Sequence, residues 1–210
     1  MGSKVLITGG SGMLGSACCV EFGSDNEVYA TFRDHSCNIS GATCRKVDLL
    51  DHEALEAFFN EVKPDVVIHT AAITNVDYCE EHAEEAEALH VGVTQKLVSL
   101  CEAYQAVLVY ISTDYVFDGK KGNYSEKDSV GPVNVYGKTK LAGEKVALEY
   151  AHSMVLRTSI FGINVQDKQS LAEWVLAKLE KCEKVPGFED HFLSAILTNN
   201  LARVIKELVA

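Results

Sequence analysis

Lys4-Val-Leu-Ile-Thr-Gly9-Gly-Ser-Gly12-Met-Leu-Gly15 runs from an apolar segment straight into a spaced set of glycines, Gly9-x-x-Gly12-x-x-Gly15. Residues 4–8 read as a buried strand and residues 13–22 as the helix that leaves the turn. In that setting the glycines permit a tight turn, close approach of backbone to a phosphate, and close packing of helix on sheet. The helix N-terminus supplies unpaired N–H groups and partial positive charge, suited to a pyrophosphate. Taken alone, the stretch also fits a glycine turn that holds no ligand.

Outward from this turn, short apolar runs alternate with longer amphipathic ones. Residues 27–32 read as a second strand, 34–44 as an irregular connection, and 45–47 as a short third strand ending at Asp48. Asp51 is placed to cap a helix running to about residue 62, with Glu53 favourable in its first turn. After Pro64-Asp65, the continuous apolar run Val66-Val-Ile-His69 predicts a fully buried strand. One long helix is expected over roughly 80–105, then a strand at 107–112 and a polar loop at 118–131. A helix carrying Tyr136, Lys140 and Glu144 follows, then a strand at 153–157 and helices at 170–182 and 199–208. This order predicts an α/β fold of Rossmann type, a doubly wound parallel sheet with right-handed crossovers. No internal repeat or linker interrupts it, so residues 1–210 read as one domain.

A net charge of −11 opposes binding to nucleic acid or to an anionic membrane surface. No apolar run approaches the length of a membrane span, and the first strand begins at Lys4 with no signal peptide before it. The seven cysteines, Cys18, Cys19, Cys37, Cys44, Cys79, Cys101 and Cys182, form no C-x-x-C pair and no metal-ligand spacing. Their scatter suits the reduced thiols of a cytoplasmic protein. Cys79 and His82 lack a second pair, so no metal site is expected and an exposed polar helix face is the better reading. The acidic run at 80–87 reads as a solvated face at a helix start.

Two regions carry chemistry. At the end of the second strand, Phe32 stands where a ribose-binding acid would favour NAD, and Arg33 follows. A guanidinium suits a 2′-phosphate, which favours NADP(H). Asp34 can neutralise Arg33 or itself reach the ribose, so NAD(H) stays open. Asp48-Leu49 is placed either at the adenine or, for the aspartate, as a helix cap. Tyr136-Gly-Lys-Thr-Lys140 sets a phenol and an ammonium one helical turn apart on one face. An ammonium beside a phenol favours the phenolate and would lower the tyrosine pKa, giving a proton donor and acceptor usable near neutrality. With the glycine turn, this predicts a carbonyl reduced by hydride and protonated by tyrosine.

The segments Ile7-Thr-Gly-Gly-Ser-Gly-Met-Leu-Gly15, Asp65-Val-Val-Ile-His-Thr-Ala-Ala72, Ile111-Ser-Thr-Asp-Tyr-Val-Phe-Asp118, Pro132-Val-Asn-Val-Tyr-Gly-Lys-Thr-Lys-Leu-Ala-Gly-Glu144 and Arg157-Thr-Ser159 resemble an extended short-chain dehydrogenase/reductase. More narrowly, the chain resembles the dTDP-4-dehydrorhamnose reductase family, and a weaker match continues through residues 192–202. The resemblance implies that Gly9, Gly12, Met13, Leu14 and Gly15 cradle the cofactor, with Ala71 and Ala72 passing close beneath it. It implies Tyr136 as the general acid, Lys140 as the residue holding the nicotinamide ribose, and Thr113 as a second hydroxyl on the substrate oxygen. Two hydroxyl donors aimed at a developing alkoxide form an oxyanion-type site on chemical grounds as well. Asp114 and Tyr115 are substrate-contact candidates, Tyr115 equally a partly buried aromatic.

The chain departs from the family's pattern in three places. His90 stands where relatives often use an asparagine to shape the catalytic region, and Ile160 where they commonly place an aromatic residue against the sugar. The substrate-binding part, about 160–210, is expected to be abbreviated. The family implies reduction of a nucleotide-linked 4-keto-6-deoxy sugar, as in dTDP-rhamnose biosynthesis. Two alternatives stand beside it. One is an epimerase or dehydratase using tightly held NAD+. The other is a non-catalytic NADP-binding module, since the subfamily also resembles the β subunit of methionine adenosyltransferase. A homodimer and docking on a catalytic partner both stay open.

Overall fold

The computed structural model describes residues 2–36, 38–165, 169–187, 189–190 and 192–210. The thiol of Cys37 therefore lies outside the described residues. The elements run β1 (Lys4–Thr8), α1 (Met13–Phe22), β2 (Glu27–Phe32), β3 (Ala42–Lys46), α2 (His52–Val62), β4 (Val66–His69), α3 (Val76–Glu81), α4 (Ala83–Glu87) and α5 (Val93–Tyr104). They continue with β5 (Val107–Thr113), α6 (Val135–Leu148), β6 (Ser153–Phe161), α7 (Leu171–Glu180), β7 (Ala195–Leu197) and α8 (Thr198–Leu208). The strands form one sheet in the order β3-β2-β1-β4-β5-β6-β7. Every described pairing is parallel, as the alternation of strands and helices predicts.

A sheet with helices on both faces buries its central strands from both sides, which is why β4 carries no polar alternation. On one face Leu14, Cys18 and Phe22 of α1 pack with Leu201 and Ile205 of α8 over Ile7, Ile68 and Val109. On the other, Leu55 and Phe59 of α2 and Leu97 and Cys101 of α5 cover Leu6, Val67 and Leu108, with Tyr150 beyond α6. Asp51 caps α2 through Ala54 N–H at 3.0 Å, and Glu53 lies in the first turn, both as expected. α2 stops on Lys63 in the left-handed conformation (φ 51°), which turns the chain toward Pro64 and β4.

Three expectations need correction. The helix over 80–105 is broken into α3, α4, a π turn over Ala88–Gly92, and α5. His82 (φ −131°, ψ 53°) ends α3, and the π turn carries His90 inward to buried partners. The third strand begins at Ala42, not 45, and ends at Lys46. It is an edge strand whose Thr43, Arg45 and Lys46 face solvent, so the β2 ladder, not apolar pattern, defines it. β6 extends to Phe161 and gains a neighbour in β7, whose three residues carry too little pattern to be read as a strand. α7 buries none of its side chains, leaving Leu171, Leu176 and Leu179 exposed.

Candidate active site

The sheet order reverses between β1 and β4, and loops leaving their C-terminal ends diverge to opposite faces. Such a switch point opens a crevice in a doubly wound sheet. Here it opens into a cavity of about 1010 Å³. Every candidate from the sequence lines it: the β1–α1 loop, Arg33, Asp48 and Leu49, Ala71 and Ala72, Thr113 to Tyr115, Tyr136 and Lys140.

At the β1–α1 turn, Gly9 has φ +70°, and a Cβ there would lie 2.9 Å from Ala71 Cα. The chain can therefore make this turn, against the β4 loop, only with glycine. Gly12 is the N-cap of α1, and no side chain caps the first turn, which contains no acidic residue. Gly12, Met13, Leu14 and Gly15 line the cavity, and a helix start of this kind can hold an anion. Asp48 is not the cap of α2, a role Asp51 holds; its carboxylate accepts Leu50 N–H at 3.0 Å at the cavity wall.

Thr113 ends β5 and is buried; its hydroxyl donates to Asp114 (3.1 Å) and accepts Tyr115 N–H (3.2 Å), and it lines the same cavity as Tyr136. Asn134 caps α6 through Gly137 N–H at 2.7 Å, fixing the first turn that carries Tyr136. A Cβ at 137 would lie 2.3 Å from the Tyr115 carbonyl, so glycine lets α6 close onto the β5 loop. The Tyr136 ring is held edge-on by Tyr115 (5.6 Å) and by His90 (5.9 Å). Tyr115 is 38% exposed, as a residue on the cavity rim.

The expected depression of the Tyr136 pKa is not what this arrangement produces. Burial pushes it up to about 12, the Thr113 hydroxyl opposing. Lys140, 3% exposed, directs its Nζ to the Ile111 carbonyl at 2.7 Å and lies 4.1 Å from the Tyr110 ring centre. Burial draws its pKa down to about 7, with Glu144 opposing. Desolvation thus outweighs the attraction between phenolate and ammonium on which the sequence argument rested.

His90 does what the helical pattern could not reveal. Its Nε2 accepts Ile73 N–H at 3.0 Å, so Nδ1 carries the proton and donates to Thr139 Oγ1 at 2.8 Å. Thr139 in turn donates to the carbonyls of Val135 and Tyr136. One neutral imidazole, its pKa drawn down to about 3 chiefly by burial, thereby ties the loop after β4 to the helix of Tyr136.

Glu144 and Arg157 form an ion pair that the sequence pattern does not predict. Glu144, 1% exposed, accepts from Ser112 Oγ and takes Arg157 in two-pronged fashion, with Nε at 3.0 Å and Nη2 at 2.7 Å. It locks α6 to Ser112 near the end of β5 and to Arg157 in the middle of β6. The available signal was its position four residues after Lys140, on the same helix face. Cys79 and His82 part ways: the thiol donates to the Ile73 carbonyl and the imidazole stacks on Tyr78 at 4.0 Å. Among the described residues no group of three or more His, Cys, Asp or Glu is placed to hold a metal ion, and no helix is long and apolar enough to cross a membrane.

Comparison with known proteins adds a family. Residues 3–210 match the family model described as RmlD substrate binding domain. The β subunit of methionine adenosyltransferase 2 from Rattus norvegicus is 35% identical over 210 residues, covering 98% of this chain and 61% of that protein. A hypothetical dTDP-4-dehydrorhamnose reductase from Sulfolobus tokodaii superposes with TM-score 0.88 at 37% identity, covering 98% of this chain and 72% of that one. A dTDP-4-dehydrorhamnose reductase from Bacillus anthracis, solved in complex with NADP, superposes with TM-score 0.86 at 25% identity, covering 100% and 71%. The chain thus spans about three fifths of the length of the rat β subunit.

Proposed function

The chain belongs to the RmlD substrate binding domain family, and from that premise we propose that it is an NADPH-dependent reductase of a nucleotide-linked 4-keto-6-deoxy sugar. One observation carries the reading: one cavity joins the uncapped start of α1 to Thr113, Tyr136 and Lys140. The residues fit a dinucleotide. The Gly9 turn lies too close to Ala71 to carry any side chain, so the backbone itself borders the cavity there, and the first-turn N–H groups of α1 suit a pyrophosphate. Arg33 would take the 2′-phosphate, Asp48 and Leu49 the adenine, and Lys140 the nicotinamide ribose. When bound, the cofactor supplies hydride.

The chain's own groups handle the proton. As hydride adds to the carbonyl carbon, negative charge grows on the oxygen, and Thr113 and Tyr136 present hydroxyls to it. Tyr136 would then give its proton to that oxygen, so that one carbonyl becomes one hydroxyl, and the phenolate left behind would regain a proton from solvent. A phenol held near pKa 12 keeps its proton at neutral pH, and an alkoxide is a far stronger base than a phenolate. This poise favours donation over abstraction.

A second reading has an observation of its own. The methionine adenosyltransferase 2 β subunit from rat matches nearly the whole chain, which supports an NADP-binding module that docks on a catalytic subunit. Purified protein given NADPH and dTDP-4-keto-6-deoxyglucose separates the two. Consumption of NADPH that collapses in Tyr136→Phe is expected of the reductase. Tight NADPH binding without consumption refutes that substrate assignment and favours the module.

A further inference from the structure

Arg33 is less free than the sequence suggests. Its Nε is taken by Asp34 at 2.8 Å, and its Nη1 lies 4.0 Å from Glu85 Oε1 on α4. Glu85 is itself held, since its Oε2 accepts the Tyr78 hydroxyl of α3 at 2.8 Å. Asp48 adds a third carboxylate whose field reaches the same guanidinium. All five residues line the cavity. Three carboxylates thus surround the guanidinium offered to a 2′-phosphate, with Lys46 near Asp34 returning one positive charge.

Resting on the cofactor reading above, we infer that Glu85 is a specificity-determining residue that opposes the 2′-phosphate and keeps the site open to both NADPH and NADH. Arg33 and Glu85 are 56% and 36% exposed, so their pairing contributes little to stability and can be exchanged for a ligand. A phosphate at Arg33 must approach Glu85, whose carboxylate Tyr78 anchors and which therefore cannot simply swing away. NADH carries hydroxyls at that place and meets no such charge. Glu85 was read in the sequence only as part of a solvated acidic face; the break of the helix at His82 is what sets α4 over the end of β2.

The test is direct binding of NADPH and of NADH, by titration calorimetry, to the full chain and to Glu85→Gln. One charge removed near a phosphate across a solvated rim should tighten NADPH about tenfold, while NADH moves less than about twofold. Glu84→Gln removes the same charge from the same short helix and should leave both constants unchanged. Tyr78→Phe, which frees Glu85 to move away, should tighten NADPH by a smaller factor. Raising the salt concentration should shrink the Glu85→Gln effect. Equal shifts for both cofactors, or the same shift in Glu84→Gln, would overturn the assignment while leaving the cofactor reading intact. Binding of neither dinucleotide to the unaltered chain would overturn both.

Discussion

Replacing Lys140 with methionine should change how the stability of this protein depends on pH. In the fold the ammonium is 3% exposed, and burial draws its pKa from 10.5 to about 7. In the unfolded chain it keeps the ordinary value. Between these limits the unfolded state binds one proton more than the folded state, so stability rises with pH, by about 1.4 kcal/mol per unit. The clean window is roughly pH 7 to 9. Below it both states are protonated, and the buried charge is a cost. Above it the buried thiols of Cys18 and Cys101, both pushed up from 9 to about 12, bind protons only in the folded state and reverse the slope. The slope is half developed at pH 7, where the folded state is half protonated, so from pH 7 to 9 the unaltered protein should gain about 2 kcal/mol relative to Lys140→Met. Loss of the Nζ bond to the Ile111 carbonyl shifts the variant by a constant that does not vary with pH. Urea unfolding at half-unit steps, extrapolated linearly, measures the difference. Two parallel stability curves across this window would refute the argument that desolvation governs Lys140.

Acid should bring a second effect. His69 and His90 are buried and neutral, each with its pKa drawn from 6.5 to about 3 by burial first and by Lys140 second. Their contribution is complete above pH 6.5 and is lost as pH falls toward 3; His90→Asn should flatten this acid limb by about one proton in a urea series. Glu144→Ala should destabilise by about 3 kcal/mol, because it strands a guanidinium only 23% exposed. The double variant with Arg157→Ala should lose clearly less than the sum of the two single losses, and additivity would deny the coupling.

Much of the fold was legible because its physical cause is local. The apolar run of β4 has no polar alternation, as a strand covered on both faces requires, and Asp51 sits one residue before the helix that it caps. The glycine turn was legible for the same reason: a positive φ at Gly9 is a demand made by the backbone itself. β3 and β7 were obscured because edge pairing needs only backbone groups and imposes little apolar pattern. The break between α3 and α5 was hidden because acidic and apolar residues there continue a helical rhythm. The choice of a π turn is made by partners far along the chain, Ile73 and Thr139, that His90 reaches only after folding.

The site divides along the same line. Sequence by itself determined which residues gather at the crevice, since glycine spacing, the β5 end and the Tyr136–Lys140 interval each fix a position relative to a strand or a helix turn. Tertiary structure alone decided their electrostatics. Whether Lys140 lowers the pKa of Tyr136 depends on how deeply both are buried and on which carbonyl takes the ammonium. Whether Arg33 is free for a phosphate depends on a carboxylate brought over it from α4. Spacing along a chain sets direction and reach, but the cost of charge is set by the medium around it, and that medium exists only once the chain has folded.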